Sequence, residues 1–187
     1  RTNILPELTT KSYIRPIFLF VSFLVLGSGS LVQAQNELNV GDGAPDFTLP
    51  YATRDSISRS PVSLSDFLGS RVVIIAFYPA DWSGGCTKEV CTMRDDFGAL
   101  QALNAEILAI SGDYVWSHHE WAKSLNLPFK LLSDHAHVVA KLYNSFNEKS
   151  MTNRRTIYVV DKNGKIAYLN LGYSVKDQKD FEGLKSA

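Results

Sequence analysis

The stretch RVVIIAFYPADWSGGCTKEVC, residues 71–91, contains the junction between a strand-like and a helix-like pattern of apolar residues. After its opening arginine the stretch is continuously apolar as far as Pro79, which is typical of a strand buried on both faces. From Cys86 to Asn104, apolar residues recur at steps of three and four, which predicts a helix. The two cysteines of the chain, Cys86 and Cys91, both lie in this predicted helix.

The rest of the domain alternates between strand and helix patterns. Before the junction, residues 39–67 are rich in Gly, Pro and Ser, which indicates an extended segment with short strands and turns. After the helix we predict a strand at 105–113, a helix at 117–126 with a capping box from Ser117 to Glu120, a strand at 128–134, a helix at 137–144, a hairpin at 155–172 turning at Asn163-Gly164, and a helix at 175–187.

This order fixes the expected fold class. Strands and helices that alternate at this spacing form a parallel sheet with right-handed crossovers, and the hairpin adds an antiparallel edge. We therefore predict an α/β sandwich whose central mixed sheet is flanked by helices. Ligands of such sheets bind beyond the carboxyl ends of the strands, where Cys86 lies.

Length and composition are those of one ordinary globular domain. The chain has 187 residues, of which 45% are hydrophobic and 20% charged. Such a chain buries enough apolar surface to fold without disulfide staples. Its formal net charge of zero argues against general nucleic-acid binding.

The N-terminal segment differs from the rest. Residues 1–15 carry three bases and one acid, and an apolar core and small residues follow, which is typical of a secretory signal peptide cleaved after Ala34. The alternative is an uncleaved membrane anchor. On either interpretation the domain, residues 35–187, is predicted to be exported, to the periplasm or the exterior.

Cys86 opens the predicted helix after a buried strand. Unpaired backbone N–H groups and the helix dipole favour an anion there, so they favour the ionised thiolate. A more abundant thiolate alone accelerates a reaction only modestly. Fast thiol chemistry at this position therefore also requires donors that stabilise the transition state.

The spacing of Cys86 and Cys91 restricts how they can pair. Five helical residues span a rise of about 7.5 Å and a rotation of about 140°, which puts the Cα atoms roughly 8–9 Å apart. A disulfide requires Cα atoms within about 7 Å. The pair therefore bonds only if that turn unwinds, which favours a redox cycle over a structural disulfide. The alternative is that Cys91 is simply a buried helix residue.

The segment FYPADWSGGCTKEVC resembles the active-site segment of peroxiredoxins, the alkyl hydroperoxide reductase/thiol-specific antioxidant family. The family pattern Pro-x-x-x-Thr/Ser-x-x-Cys is met by Pro79, Ser83 and Cys86. Four further segments, GAPDFTLP, LAISGD, SHHEWAKSLNLPFKLLSD and RRTIYVVDKNGKI, resemble family segments in family order. The resemblance implies a thioredoxin-like fold and a thiol peroxidase.

The resemblance also implies roles for single residues. Cys86 matches the peroxidatic cysteine, Ser83 the hydroxyl that orients peroxide, and Pro79 the proline that shields the site. The arginine before TIYVVD matches the catalytic arginine, which selects Arg155 over its neighbour Arg154, and Glu89 matches a position that often holds that arginine.

Cys91 matches the resolving cysteine of the Q-type, or bacterioferritin comigratory protein, subgroup. The implied cycle is a Cys86 sulfenic acid, local unwinding, a Cys86–Cys91 disulfide, and reduction by a thioredoxin-like donor. A monomer suffices for an internal pair, and no metal, haem or nucleotide cofactor is implied. One departure from the family is Gly84-Gly85, which replaces bulkier pairs and adds backbone freedom before Cys86.

Three other interpretations compete with an internal two-cysteine peroxidase. One is a one-cysteine peroxidase resolved by an external thiol. Another is an exported thiol–disulfide oxidoreductase, which requires Cys-x-x-Cys and not the Cys-x₄-Cys found here. A non-catalytic binding module would not need Ser83, Cys86 and Arg155 together.

The histidines and tryptophans of the chain are expected to have structural roles. The pairs His118-His119 and His135-x-His137 lack a further ligand cluster, so we expect solvated or capping roles and no metal site. Packing roles are expected for Trp82, Trp116 and Trp121, and Trp82 is also a candidate for the mouth of the pocket.

Overall fold

The computed structural model describes residues 37–174 and 176–186. Within these ranges the elements are β1 (Thr48–Leu49), β2 (Tyr51–Ala52), β3 (Val62–Ser63), β4 (Val72–Phe77), α1 (Gly84–Asp95), α2 (Phe97–Ala102), β5 (Ala105–Ser111), α3 (Val115–Leu125), β6 (Lys130–Ser133), α4 (Val138–Leu142), β7 (Phe146–Asn147), β8 (Thr152–Asn153), β9 (Thr156–Val160), β10 (Ile166–Asn170) and α5 (Gln178–Ser186). The predicted leader, residues 1–34, lies outside these ranges, so the boundary at residue 35 stays a prediction.

A mixed sheet with strand order β10-β9-β4-β5-β6-β2 forms the centre of the domain. Strands β4, β5 and β6 are mutually parallel, whereas β9, β10 and β2 pair antiparallel with their neighbours. The predicted α/β class and the antiparallel hairpin edge are confirmed. Because the parallel strands end at one edge, Phe77, Ser111 and Ser133 lie at the same end of the sheet.

Strand β4 is buried on both faces, as its continuous apolar run predicts. Alternate residues, Ile74 and Ala76, join the core that contains Cys86, Val90 and Met93 of α1. The residues between them join a second core beneath the other face, with Val139 and Ala140 of α4: Val73, Ile75 and Phe77. Helices thus cover both faces, and β4 delivers the following loop to the carboxyl edge of the sheet.

Two helix boundaries differ from the prediction. The predicted helix from Cys86 to Asn104 begins earlier and is interrupted at Asp96, whose backbone leaves helical geometry between α1 and α2. The predicted capping box of Ser117 is wrong, because α3 begins after Tyr114. The Ser117 hydroxyl donates instead to Asp81 Oδ2, at 2.7 Å.

Candidate active site

Cys86 lies in the first turn of α1, where the chain emerges from β4. Ser83 is the N-cap: its backbone is extended, and its Oγ accepts a hydrogen bond from the Cys86 N–H at 3.4 Å. The same hydroxyl donates to the Ala80 carbonyl at 3.2 Å. This satisfies one of the free N–H groups at the helix start and holds Cys86, which is fully buried, in a defined position.

Arg155 reaches Cys86 from the residue before β9. Its Nη2 donates to Cys86 Sγ at 3.1 Å, and its Nη1 donates to Glu89 Oε2. The Arg155 carbonyl accepts from the Tyr173 N–H at 3.1 Å, which fixes the backbone of the arginine. One guanidinium therefore lies between a thiol and a carboxylate, with its planar fork shared between them.

Glu89 is almost completely buried beneath this arginine, one turn after Cys86. Burial raises the pKa of Glu89 to about 7, although the Arg155 charge and hydrogen bond oppose the shift. Its Oε1 has no hydrogen-bond partner among the described residues. The carboxylate therefore depends on Arg155 as its counter-charge. For Arg155, burial lowers the pKa, but Glu89 and Cys86 outweigh it and raise the pKa above its ordinary value.

Gly85 leaves room for the guanidinium. A Cβ at this position would lie 2.8 Å from Arg155 Nη2, whereas a Cβ at Gly84 would meet nothing within 4 Å. The two glycines both belong to α1, and neither has a positive φ. Gly85 therefore serves a close approach of Arg155, and the conformational freedom expected from the sequence is not used in this state.

The other two candidates, Pro79 and Cys91, lie around this centre. Pro79 is half-buried in the loop after β4, and Cys91 is partly exposed on α1. Both cysteine thiols are free. Because both cysteines are helical here, the turn between them is intact. The structure brings Ser83, Cys86, Glu89 and Arg155 together and leaves Cys91 at the other end of that turn.

Comparison with known proteins places this arrangement in a family. Residues 40–169 match the AhpC/TSA family. The chain belongs to the AhpC/TSA family, the peroxiredoxins. The predicted family and its thioredoxin-like fold are thereby confirmed.

Particular relatives fall in the predicted subgroup. The chain is 42% identical over 135 residues to "Peroxiredoxin Q, chloroplastic" of Oryza sativa subsp. japonica, covering 71% of this chain and 59% of that protein. It is 37% identical to "Putative peroxiredoxin bcp" of Coxiella burnetii, covering 70% of this chain and 86% of that protein. Peroxidoxin BcpB from Mycobacterium tuberculosis has a similar structure, with a TM-score of 0.69, 28% identity and coverage of 80% of this chain and 98% of that one.

The predicted exported or membrane-anchored location is wrong. Relatives from rice, Sedum lineare and Arabidopsis thaliana are named as chloroplastic proteins, which places those peroxiredoxins in an organelle and not outside the cell. A basic segment followed by apolar residues does not by itself specify export. Across the part of the chain that the structure describes, no helix has the length and apolarity needed to cross a bilayer.

A buried polar network around Asp81, in the loop between β4 and α1, was not predicted. The Asp81 carboxylate accepts hydrogen bonds from Tyr78 Oη at 2.8 Å and Ser117 Oγ at 2.7 Å, and His118 Nδ1 contacts it at 2.9 Å. His118 is fully buried, so the solvated or capping role expected for it is wrong. An Asp three residues before a helix and a His inside an apolar helix face are the only sequence signals for this pair.

Some of the other histidines and tryptophans have the surroundings predicted for them, and others do not. His119, His135 and His137 each contact protein oxygens, and no cluster of metal-ligand type occurs within residues 37–174 and 176–186. Trp121 packs in the core as predicted. Trp82 and Trp116 do not, because they are 59% and 67% exposed.

Proposed function

We propose that the chain is a thiol-dependent peroxidase that reduces hydrogen peroxide and organic hydroperoxides at Cys86. The observation that carries the proposal is the Arg155 guanidinium, which donates to Cys86 Sγ at 3.1 Å while Glu89 holds its other arm. A cation in hydrogen-bond contact with the sulfur is close enough to the reacting atom to stabilise charge that develops on the departing oxygen. Because the chain spans 59% of its rice relatives, the activity is proposed for the domain.

The first half of the reaction oxidises Cys86. The thiolate attacks one peroxide oxygen, the S–O bond forms as the O–O bond breaks, and the other oxygen leaves as water or an alcohol after taking a proton. Sulfur is oxidised by two electrons and the peroxide is reduced by two. Arg155 stabilises the leaving oxygen, Ser83 orients the peroxide, and Pro79 limits access of solvent.

The second half restores the thiol through Cys91. The Cys91 thiolate attacks the Cys86 sulfenic sulfur, the S–S bond forms as the S–O bond breaks, and the sulfenic oxygen leaves as water after taking a proton from solvent. The first turn of α1 must unwind for this step, since the two positions are about 7.5 Å apart along an intact helix. A thioredoxin-like dithiol then reduces the disulfide with two electrons and two protons. An internal pair needs no second subunit, so a monomer completes the cycle.

Relatives support this assignment through their names. Those of the rice and Coxiella burnetii proteins are peroxiredoxin Q and peroxiredoxin bcp. The names carry the reaction class, and the thioredoxin-like reductant is carried over from the family resemblance.

Peroxide consumption by the purified chain with a thioredoxin system tests the proposal. Cys86→Ser is expected to abolish turnover, and Cys91→Ser is expected to accumulate the sulfenic acid without an internal disulfide. Mass spectrometry with a sulfenic-acid trap distinguishes these species. Turnover by Cys86→Ser would overturn the mechanism, and undiminished turnover by Cys91→Ser with thioredoxin would assign resolution to an external thiol.

A further inference from the structure

The loop between β4 and α1 is fixed at Asp81 by both its backbone and its side chain. The Asp81 N–H donates to Asp113 Oδ2 at 2.8 Å, just beyond the end of β5. Its carboxylate is held by Tyr78, Ser117 and His118 as described above, and His118 Nε2 in turn faces the Leu132 carbonyl of β6 at 3.1 Å. Asp81 therefore joins the loop to three neighbouring elements: β5, α3 and β6.

The next residue, Trp82, has a left-handed backbone conformation, which residues other than glycine rarely adopt. Its φ is 61°, in the left-handed region, although its side chain is largely exposed. The indole N–H donates to Ser117 Oγ at 3.2 Å, and that hydroxyl also donates to Asp81. A non-glycine residue remains in this region only when its surroundings hold it there. Ser117 links the strained residue to Asp81.

Ser83, the N-cap of α1, follows Trp82 directly, so the fixed loop ends where the turn of Cys86 begins. We propose that Asp81 is a positioning residue that sets the equilibrium between the folded and the unwound first turn of α1. Asp81 touches neither Cys86 nor Arg155 in any described hydrogen bond and acts through the loop. The proposal rests on the proposed function, because the unwound turn matters only if Cys86 and Cys91 form a disulfide.

Conformational entropy gives the anchor its effect. With Asp81 fixed, the loop is already ordered before the first turn of α1 forms. Without the anchor, folding of that turn must also order the residues before it, whereas the unwound turn tolerates a loose loop. Loss of the anchor therefore disfavours the reduced, folded site relative to the disulfide. The anchor favours the peroxide-reactive form at the expense of the resolved form.

The thiol–disulfide equilibrium of the Cys86–Cys91 pair measures this balance without peroxide. The whole chain is equilibrated in reduced and oxidised glutathione of varied ratio, and the two thiol states are counted by alkylation and mass spectrometry. We expect Asp81→Asn to shift the equilibrium constant about tenfold toward the disulfide, since the side chain loses part of its charge-assisted anchoring. We expect Ser117→Ala to shift it in the same direction by roughly threefold.

Asp134→Asn is the matched control. Asp134 is also a buried carboxylate at the carboxyl edge of the sheet, but it accepts from the Ala140 N–H of α4 and makes no described hydrogen bond to the loop. Its replacement is expected to lower stability and to leave the equilibrium constant within twofold of the wild type. Ser117→Ala keeps the test decisive if Asp81→Asn does not fold.

The proposal would be overturned by wild-type equilibrium constants in both Asp81→Asn and Ser117→Ala, or by an equal shift in Asp134→Asn. A wild-type pair that never oxidises in glutathione would also overturn it. Failure of the proposed peroxidase function has a different signature. In that case the pair would still titrate in glutathione and respond to Asp81, but the wild-type chain would not consume peroxide.

Discussion

Replacing Gly85 by alanine would put a methyl carbon 2.8 Å from Arg155 Nη2. Non-bonded heavy atoms settle at roughly 3.5 Å, so the guanidinium would have to withdraw by about 0.7 Å. The same nitrogen donates to Cys86 Sγ at 3.1 Å, and Glu89 holds the other arm of the fork. The displacement therefore weakens the contact with sulfur, the contact with the carboxylate, or both.

The size of the effect follows from the contact that is lost. A hydrogen bond to a charged group contributes about 1.5–3 kcal/mol. If the contact stabilises the transition state of peroxide reduction, its loss slows the reaction by roughly ten- to hundredfold. For the free energy of unfolding, the helix preference of alanine over glycine, up to about 1 kcal/mol, opposes the loss from a weakened Arg155–Glu89 contact.

Gly84→Ala provides the control within the same turn, because its Cβ would meet nothing within 4 Å. Both variants make the same chemical change one residue apart in the first turn of α1. The assay is stopped-flow measurement of the second-order rate constant of Cys86 with hydrogen peroxide, with thermal unfolding in parallel. We expect a ten- to hundredfold loss for Gly85→Ala and a wild-type rate for Gly84→Ala. Equal rate constants in the two variants would refute the reasoning about Arg155.

Two further predictions concern Glu89 and Arg155. A folded pKa of about 7 lies above the ordinary value of 4.5, so Glu89 weakens the fold as pH rises from about 4.5 to 7, by up to roughly 3 kcal/mol. Urea unfolding measures this as the free energy of unfolding, and the wild-type value should fall relative to that of Glu89→Gln over that pH range. Free energies of unfolding that change in parallel with pH in the two proteins would contradict the prediction. Arg155→Lys should lower the peroxide rate constant at least about tenfold, because an ammonium cannot reach Cys86 and Glu89 as a fork. Arg154→Lys should keep the wild-type rate, and an equal loss there would contradict this assignment.

The fold class and the order of the main strands and helices along the chain could be predicted because they depend on patterns within short segments. Continuous apolarity identified β4, and the Asn-Gly turn identified the β9–β10 hairpin. The break at Asp96 could not be predicted, since apolar residues continue at helical spacing across it and the interruption is local backbone geometry. The capping box at Ser117 failed for a related reason: its hydroxyl has a tertiary partner, Asp81, that no local pattern contains.

The candidate site divides along the same line. Ser83 and Cys86 are three residues apart, so their contact follows from the helix start alone. Arg155 is 69 residues from Cys86, and only the family resemblance selected it over Arg154. The role of Gly85 depends on where that guanidinium lies. From sequence the glycine indicated flexibility, whereas in the structure it makes room for a charge.

The buried pair of Asp81 and His118 is the part of the site that sequence reasoning missed most completely. The two residues are 37 positions apart, and a lone His in a helix is most often a surface or capping residue. What decides their role is that β4 ends and α3 begins at the same edge of the sheet, so that the two side chains are buried against each other. Their proximity depends on the topology of the sheet, and no sequence motif indicates it.

Two groups of contacts act on the turn of Cys86 from opposite sides. Arg155, which Glu89 holds in place, donates to the cysteine sulfur, so this contact is lost when the proposed unwinding moves Cys86 toward Cys91. Asp81 holds the loop before the turn, and its partners on α3 and β6 need not move. Unwinding therefore begins beside a loop that the anchor holds in place, and refolding of the turn returns Cys86 to Arg155 without having to order that loop again. Because Cys91 is only five residues from Cys86, the second thiol keeps a high effective concentration when the turn unwinds, so the anchor is not needed to bring the two thiols together and instead favours the reduced, folded turn.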